Sequence, residues 1–400
     1  MANGTLVRFG VALAAGAAAI AGLALASPAQ ASFFEGEVRG KNALGAIDGR
    51  YIVVLKEGRG DDQVAAFAKN LNSRYGATIG SRFTSSLTGF IANLSESAAK
   101  RVAADPAVDF IEQDRHISIA ATQRNPVWNL DRVDQESLPL SGTFSYPADA
   151  GSGATVYVVD TGVRLTHREF AGRAKSGYDF VDDDTDASDC NGHGTHVAGT
   201  VAGATFGVAK RAQVVAVRVL DCDGDGTNSQ VIAGIDWVTK HAVKPAVANL
   251  SLGGDVSQAL DAAVRRSIAA GITYAVAAGN DDADACTASP ARVPDAITVG
   301  ATDRTDRRAS FSNHGRCLDL FAPGAGIRSA SYSGDRSTEI LDGTSMATPH
   351  VAGAIALYLA DHPTATPAQV RAALLKAATA NELTYTGAGS PNRLLNVTGL

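Results

Sequence analysis

Gly343-Thr344-Ser345-Met346-Ala347-Thr348-Pro349-His350 sets one serine among small residues. Directly behind it runs the apolar stretch Val351-Ala352-Gly353-Ala354-Ile355-Ala356-Leu357-Tyr358-Leu359. That run has helical length and good helix formers. Pro349 suits the first turn of a helix, where a missing N–H costs little. Ser345 is therefore predicted at or just inside a helix N-terminus, where free N–H groups and the helix dipole favour negative charge. A serine so placed can attack a carbonyl and have the resulting oxyanion held beside it. Taken alone, the stretch is better read as a plain N-cap serine. Two upstream segments reverse that preference.

From about residue 153 onward, apolar strands alternate with helical patterns. Strands are predicted at 154–159, 214–219, 247–252, 272–277 and 297–299. Helices are predicted at 197–204, 230–241, 257–270 and 367–378, the last capped by Thr366. Such alternation gives an α/β fold: a mostly parallel sheet with helices on both faces. Its ligand cleft lies at the carboxyl ends of the strands. The first strand ends Val158-Val159-Asp160-Thr161-Gly162, which aims an aspartate at that cleft. Next comes Asn191-Gly192-His193-Gly194-Thr195-His196-Val197-Ala198-Gly199, where flanking glycines leave His193 approachable. His196 reads as a structural, hydrogen-bonded histidine, because a zinc site needs a third ligand and no such spacing follows.

Asp160, His193 and Ser345 together make a complete chemical set. Serine hydroxyl is a poor nucleophile and needs a base within hydrogen-bond reach. Histidine titrates near neutrality and can accept, then return, the proton. A carboxylate fixes the imidazole tautomer and stabilises the imidazolium.

The chain has 400 residues, enough for two or three folding units, and a net charge of −6. That balance gives no reason to expect nucleic-acid binding, and no basic run suggests a membrane surface. Residues 1–31 read as a secretion signal: Arg8, an apolar 9–26 stretch, then Ala29-Gln30-Ala31 as the cleavage pattern. A retained anchor is the alternative. Residues 32–120 form a small α+β domain with its core at about 51–120. Residues 32–50 are a loose lead-in. Strands follow at 51–55, 90–94 and 108–112, with helices at 64–71 and 95–102, the second capped by Ser95. The tail Ile117-Ser118-Ile119-Ala120 alternates apolar with small and can lie along a sheet edge as an added strand. The cysteines Cys190, Cys222, Cys286 and Cys317 allow three pairings. The acidic runs at 182–184 and 281–282 read as solvated turns.

The strings at 159–163, 191–199 and 343–353 resemble the three signatures of the subtilisin-like serine proteases, whose chain order is Asp, His, Ser. The stretch 121–396 is similar to the proteinase K branch and to aqualysin-type secreted enzymes. Ala-Thr-Gln at 121–123, Leu-Asp-Arg-Val-Asp-Gln at 130–135 and Ser-Pro-Asn-Arg-Leu-Leu at 390–395 add to that likeness.

The resemblance implies a secreted serine endopeptidase acting on protein and peptide substrates, with a catalytic domain over 121–400 and no cofactor for the chemistry. It implies Asp160, His193 and Ser345 as triad and Asn280 as oxyanion donor. Ser251, Leu252 and Gly253 would pair with the substrate backbone, facing the turn at Gly224. Ala277, Ala278 and Gly279, with the small residues at 251–253, would give an S1 pocket with apolar walls and no charge at its base, which prefers apolar or aromatic side chains with broad tolerance. Asn228 stands where the proteinase K type has an aromatic residue near S4.

The same resemblance implies disulfides Cys190–Cys222 and Cys286–Cys317. It implies a structural calcium held by Asp319 with the backbone of Pro294 and Ala296, and a weaker candidate at Asp131, Asp134 and Gln135. The small domain would be an inhibitory propeptide whose tail occupies the cleft, cut between Ala120 and Ala121 by the enzyme itself. A monomer, off the membrane once the signal is removed, is expected. The rival reading is a catalytically silent peptide-binding module of the same fold.

Overall fold

The computed structural model describes residues 35–41, 46–115 and 120–400, so the signal segment and residues 117–119 lie outside the described residues. The chain divides into two compact units, the larger running from Arg115 to Leu400.

The larger unit is built on a nine-stranded sheet. Its centre is Thr155–Asp160, paired in parallel with Gln213–Arg218 on one side and Ala246–Leu250 on the other. Ala174–Asp179 lies outside the former, while Thr273–Ala277, Ile297–Thr302 and Leu320–Pro323 follow the latter in parallel. Thr379–Ala380 and Arg393–Leu394 close that edge. Every residue of Thr155–Asp160 is buried, as a continuous apolar run in a doubly covered strand requires. From Thr155–Asp160 the chain runs to the edge strand Ala174–Asp179, returns to fill the gap with Gln213–Arg218, and then crosses to the other side. Asp160 and the segment after Leu250 therefore meet at a topological switch point, where α/β sheets form their crevice.

Helices cover both faces, as predicted. His193–Ala202, Thr344–Asp361 and Pro367–Ala377 share one core with the sheet, and Asn228–His241 and Gln258–Ala269 share the other. Thr344–Asp361 is apolar all round and is buried nearly throughout, the expected site for such a helix. Gly353 lets it meet its neighbours, since a Cβ there would stand 2.7 Å from Val208 Cβ and 3.1 Å from the Val201 carbonyl.

Pro349 sits deeper than the sequence suggested. The helix starts at Thr344, which puts the proline in the second turn. Pro349 cannot donate to the carbonyl of Ser345, four residues back. Ser251 Oγ donates to it instead at 2.7 Å.

The four cysteines form Cys190–Cys222 and Cys286–Cys317, with Cα separations of 5.0 and 5.3 Å. Arg132 is fully buried and donates to Asp306 through Nε at 2.7 Å and Nη2 at 3.1 Å.

The smaller unit carries five strands rather than three, in the order Val38–Arg39, Val108–Arg115, Ala46–Leu55, Gly89–Asn93, Thr78–Phe83. The described part of the lead-in is therefore not loose: it supplies an edge strand and the start of a central one. Thr78–Phe83 is an edge strand with no residue fully buried, so it carries little apolar alternation. Asp61–Tyr75 and Glu96–Ala103 supply the core face, with Ser95 Oγ accepting from Ala98 N as a cap.

Candidate active site

Asp160 ends its strand fully buried, and its Oδ1 accepts a 2.8 Å bond from the Thr161 N–H. His193 is the first residue of the helix His193–Ala202 and lies 2.7 Å from the same oxygen through Nδ1. That contact protonates Nδ1 and leaves Nε2 as the acceptor. The approach depends on Gly194, where a Cβ would fall 2.1 Å from the Gly162 carbonyl and 3.2 Å from Asp160 Cβ. Burial pulls the His193 pKa down, but the charge of Asp160, its hydrogen bond and the charge of Asp189 together leave it raised.

Ser345 is the second residue of its helix, beneath the N-cap Gly343. His193, Asn280 and Ser345 line one cavity of about 710 Å³. The Ser345 hydroxyl donates to the Ser251 carbonyl at 2.9 Å, and among the described residues it makes no bond to His193. Asn280 Oδ1 accepts from Thr344 N–H at 2.8 Å and Thr344 Oγ at 2.9 Å. Because Thr344 N–H can only donate, the accepting atom is the oxygen, and the amide NH₂ is left for the cleft. Asn313, buried, holds the same loop by accepting from Asp281 and Ala283 N–H and donating to the Ala278 carbonyl. Thr344 and Asn313 were not picked out from sequence; the Gly-Thr-Ser string contains the first but assigns it no task.

Ser251, Leu252 and Gly253 line the main cavity opposite Gly224, Asp225 and Gly226. A second cavity of about 330 Å³ opens beside Ser345 between Leu252–Gly254 and Ala277–Gly279. Ala283, Ala288 and Ala291 add apolar wall. Asp255 and Asp281 also line it, both solvent-exposed.

His196 is buried, donates through Nε2 to the Ile327 carbonyl at 2.9 Å, and is pulled down to about 4 by burial. It has the structural role expected of it.

Asp319 is buried, with one oxygen accepting from Thr298 N–H at 2.8 Å and the other bonded to Arg371 Nη2. Carboxylate and carbonyl oxygens suit calcium in kind, but here a guanidinium already neutralises the carboxylate. In the weaker candidate, Asp131 is fully engaged by Ser141 and Gly142, while Asp134 keeps a buried oxygen without a partner and is pushed up to about 6 by burial.

Ala120 and Ala121 lie in the strand Ala120–Arg124, opposite Pro147 and Tyr146 of Thr143–Pro147. The expected cut therefore sits inside a hydrogen-bonded ladder here.

The model of the Subtilase family matches residues 151–395, and the model of Peptidase inhibitor I9 matches residues 50–120. This chain belongs to the subtilase family. The subtilase is 51% identical over 387 residues to an extracellular serine proteinase of Thermus sp. (strain Rt41A), with 92% of this chain and 94% of that one covered. It is 50% identical to the alkaline serine exoprotease A of Vibrio alginolyticus, over 88% of this chain and 67% of that one. The crystal structure of a cold adapted subtilisin-like serine proteinase superposes with a TM-score of 0.67 at 54% identity, covering 68% of this chain and 98% of that one. The subtilase is thus a serine protease preceded by an I9-type propeptide domain.

Proposed function

We propose that the protein is a secreted endopeptidase that cleaves peptide bonds through Asp160, His193 and Ser345. The observation that carries this reading is the 2.7 Å Asp160–His193 contact, on a base that shares its cavity with Ser345 and Asn280. The Ser345 hydroxyl swings from the Ser251 carbonyl to His193 Nε2 and attacks the scissile carbonyl as its proton passes to the imidazole. The Asn280 amide and the Ser345 N–H hold the oxyanion. The intermediate collapses as the imidazolium protonates the departing amine, and water repeats the sequence on the acyl-enzyme. The extended peptide lies between 251–253 and 224–226, with an apolar or aromatic side chain in the alanine-lined cavity.

A serine-directed phosphonofluoridate tests this. It is expected to label Ser345 in mature protein and to fail on His193→Ala. Equal labelling of both would remove His193 as base and favour the silent peptide-binding module.

Residues 32–120 act as an inhibitory propeptide, released by the enzyme's own cut near Ala120–Ala121. For that bond to reach Ser345, Ala120 and Ala121 must leave Pro147 and Tyr146. The Ser345→Ala variant is expected to keep the 32–120 segment; normal maturation in a protease-free host would refute self-processing. Calcium at Asp319, with the carbonyls of Pro294 and Ala296, would compete with Arg371. Calcium is then expected to raise the melting temperature more in Arg371→Gln than in the parent, and no rise in either would remove the ion.

A further inference from the structure

We infer that Asp189 is the positioning residue that holds His193 against Asp160, and that its charge supports the imidazolium. The inference rests on His193 being the base.

Five donors converge on this carboxylate. Oδ1 accepts from Thr161 Oγ at 3.0 Å, Asn191 N–H at 3.0 Å and Gly192 N–H at 2.9 Å. Oδ2 accepts from the Thr195 N–H at 2.9 Å and from Thr195 Oγ at 2.5 Å. These donors come from two segments. One is the residue after Asp160; the other surrounds His193. Thr161 Oγ completes the link by accepting from Gly194 N–H at 2.9 Å while it donates to Asp189. Asp189 is thus tied to the strand end that carries the acid and to the helix start that carries the base. Free N–H groups at a helix start and the positive end of its dipole are where a carboxylate is held most strongly. A contact as short as that between Asp160 and His193 tolerates little drift, because misplacement by about 1 Å can cost about 10²-fold in rate.

The charge acts as well. The groups facing His193 are Asp160 at the end of the strand Thr155–Asp160, Asp189 on the loop before its helix, and His196 on the helix itself. Asp223 and Asp225 share its cavity, and Arg164, whose N–H bonds Thr195 Oγ, spends its guanidinium on Asp335. Asp189 adds its attraction to that of Asp160 in favouring the protonated ring. The same attraction would favour the imidazolium that forms during reaction.

Asp189→Asn keeps the shape and removes the charge. In mature enzyme it is expected to lower kcat by about tenfold or more with KM little changed, and to move the acid limb of kcat/KM to lower pH. An unmoved limb, or an unchanged kcat, in a folded variant overturns the inference. Should Asp189→Asn not fold, Thr161 decides. Thr161→Val breaks the link but leaves the charge, so kcat falls with the limb in place, and Thr161→Ser restores it. Equal kcat in the valine and serine variants overturns the inference. A parent enzyme that fails to take the phosphonofluoridate at Ser345 would instead overturn the proposed function.

Discussion

The proposed base and the proposed nucleophile each stand in the first turn of a buried helix, yet the two helix starts are built differently. The turn at His193 is complete as it stands. Its ring is bonded to Asp160, and Asp189 with Thr161 ties the surrounding backbone down. The turn at Ser345 is complete around the nucleophile but not in it: Thr344 fixes Asn280, while the Ser345 hydroxyl rests on Ser251. The difference separates what must be rigid from what must turn. Electrostatic groups act best when already oriented, whereas a hydroxyl can rotate about one bond when substrate arrives.

Removing parts of the two ends should therefore cost unequal amounts. Ser345→Ala is expected to lose about 10⁶ in kcat and Asp160→Asn about 10⁴, read by active-site-normalised peptide hydrolysis. Near-equal losses would mean the two ends work as one unit and would break the comparison. Asn280→Ala should cost about 10²–10³ in kcat with KM little changed; a loss confined to KM would make it a substrate clamp. Because His193 is raised, activity is expected to fall on acidification above the ordinary histidine range of about 6.5. A limb below that range would mean burial outweighs the two carboxylates.

A smaller effect concerns stability, and there the two helices should behave alike. His196 lies on one and His350 on the other, and burial pulls each down to about 4. The unfolded chain, with histidines near 6.5, takes up these protons first as pH falls. Stability is therefore complete above about 6.5 and is lost as pH drops towards about 4, by about 3 kcal/mol for each histidine. Urea unfolding of Ser345→Ala, which avoids self-digestion, at pH 7, 5.5 and 4 measures the loss. His350→Gln should reduce the slope; an unchanged slope would remove His350 from the account.

Much of this was legible because the relevant signals are local. The strand ending at Asp160 is a continuous apolar run, and the glycines around His193 and the small residues around Ser345 stand beside the groups they serve. What was missed depends on distant partners. Ala174–Asp179, Thr78–Phe83 and Leu320–Pro323 are polar or short, and register with a neighbour makes them strands. Asp189 looks like one more acidic loop residue until Thr161 is seen against it. Pro349 was placed a turn too early because nothing nearby shows that Ser251 supplies its missing donor.

That proline has a mechanical consequence. By withholding an N–H, it leaves the main chain of Ser345 anchored to the same residue whose carbonyl parks the hydroxyl. If the segment 251–253 grips a peptide as proposed, tension on it is passed straight to the proposed nucleophile. Exchanging Pro349 for alanine would let the helix reclaim that oxygen, trading a better spiral for a severed tether.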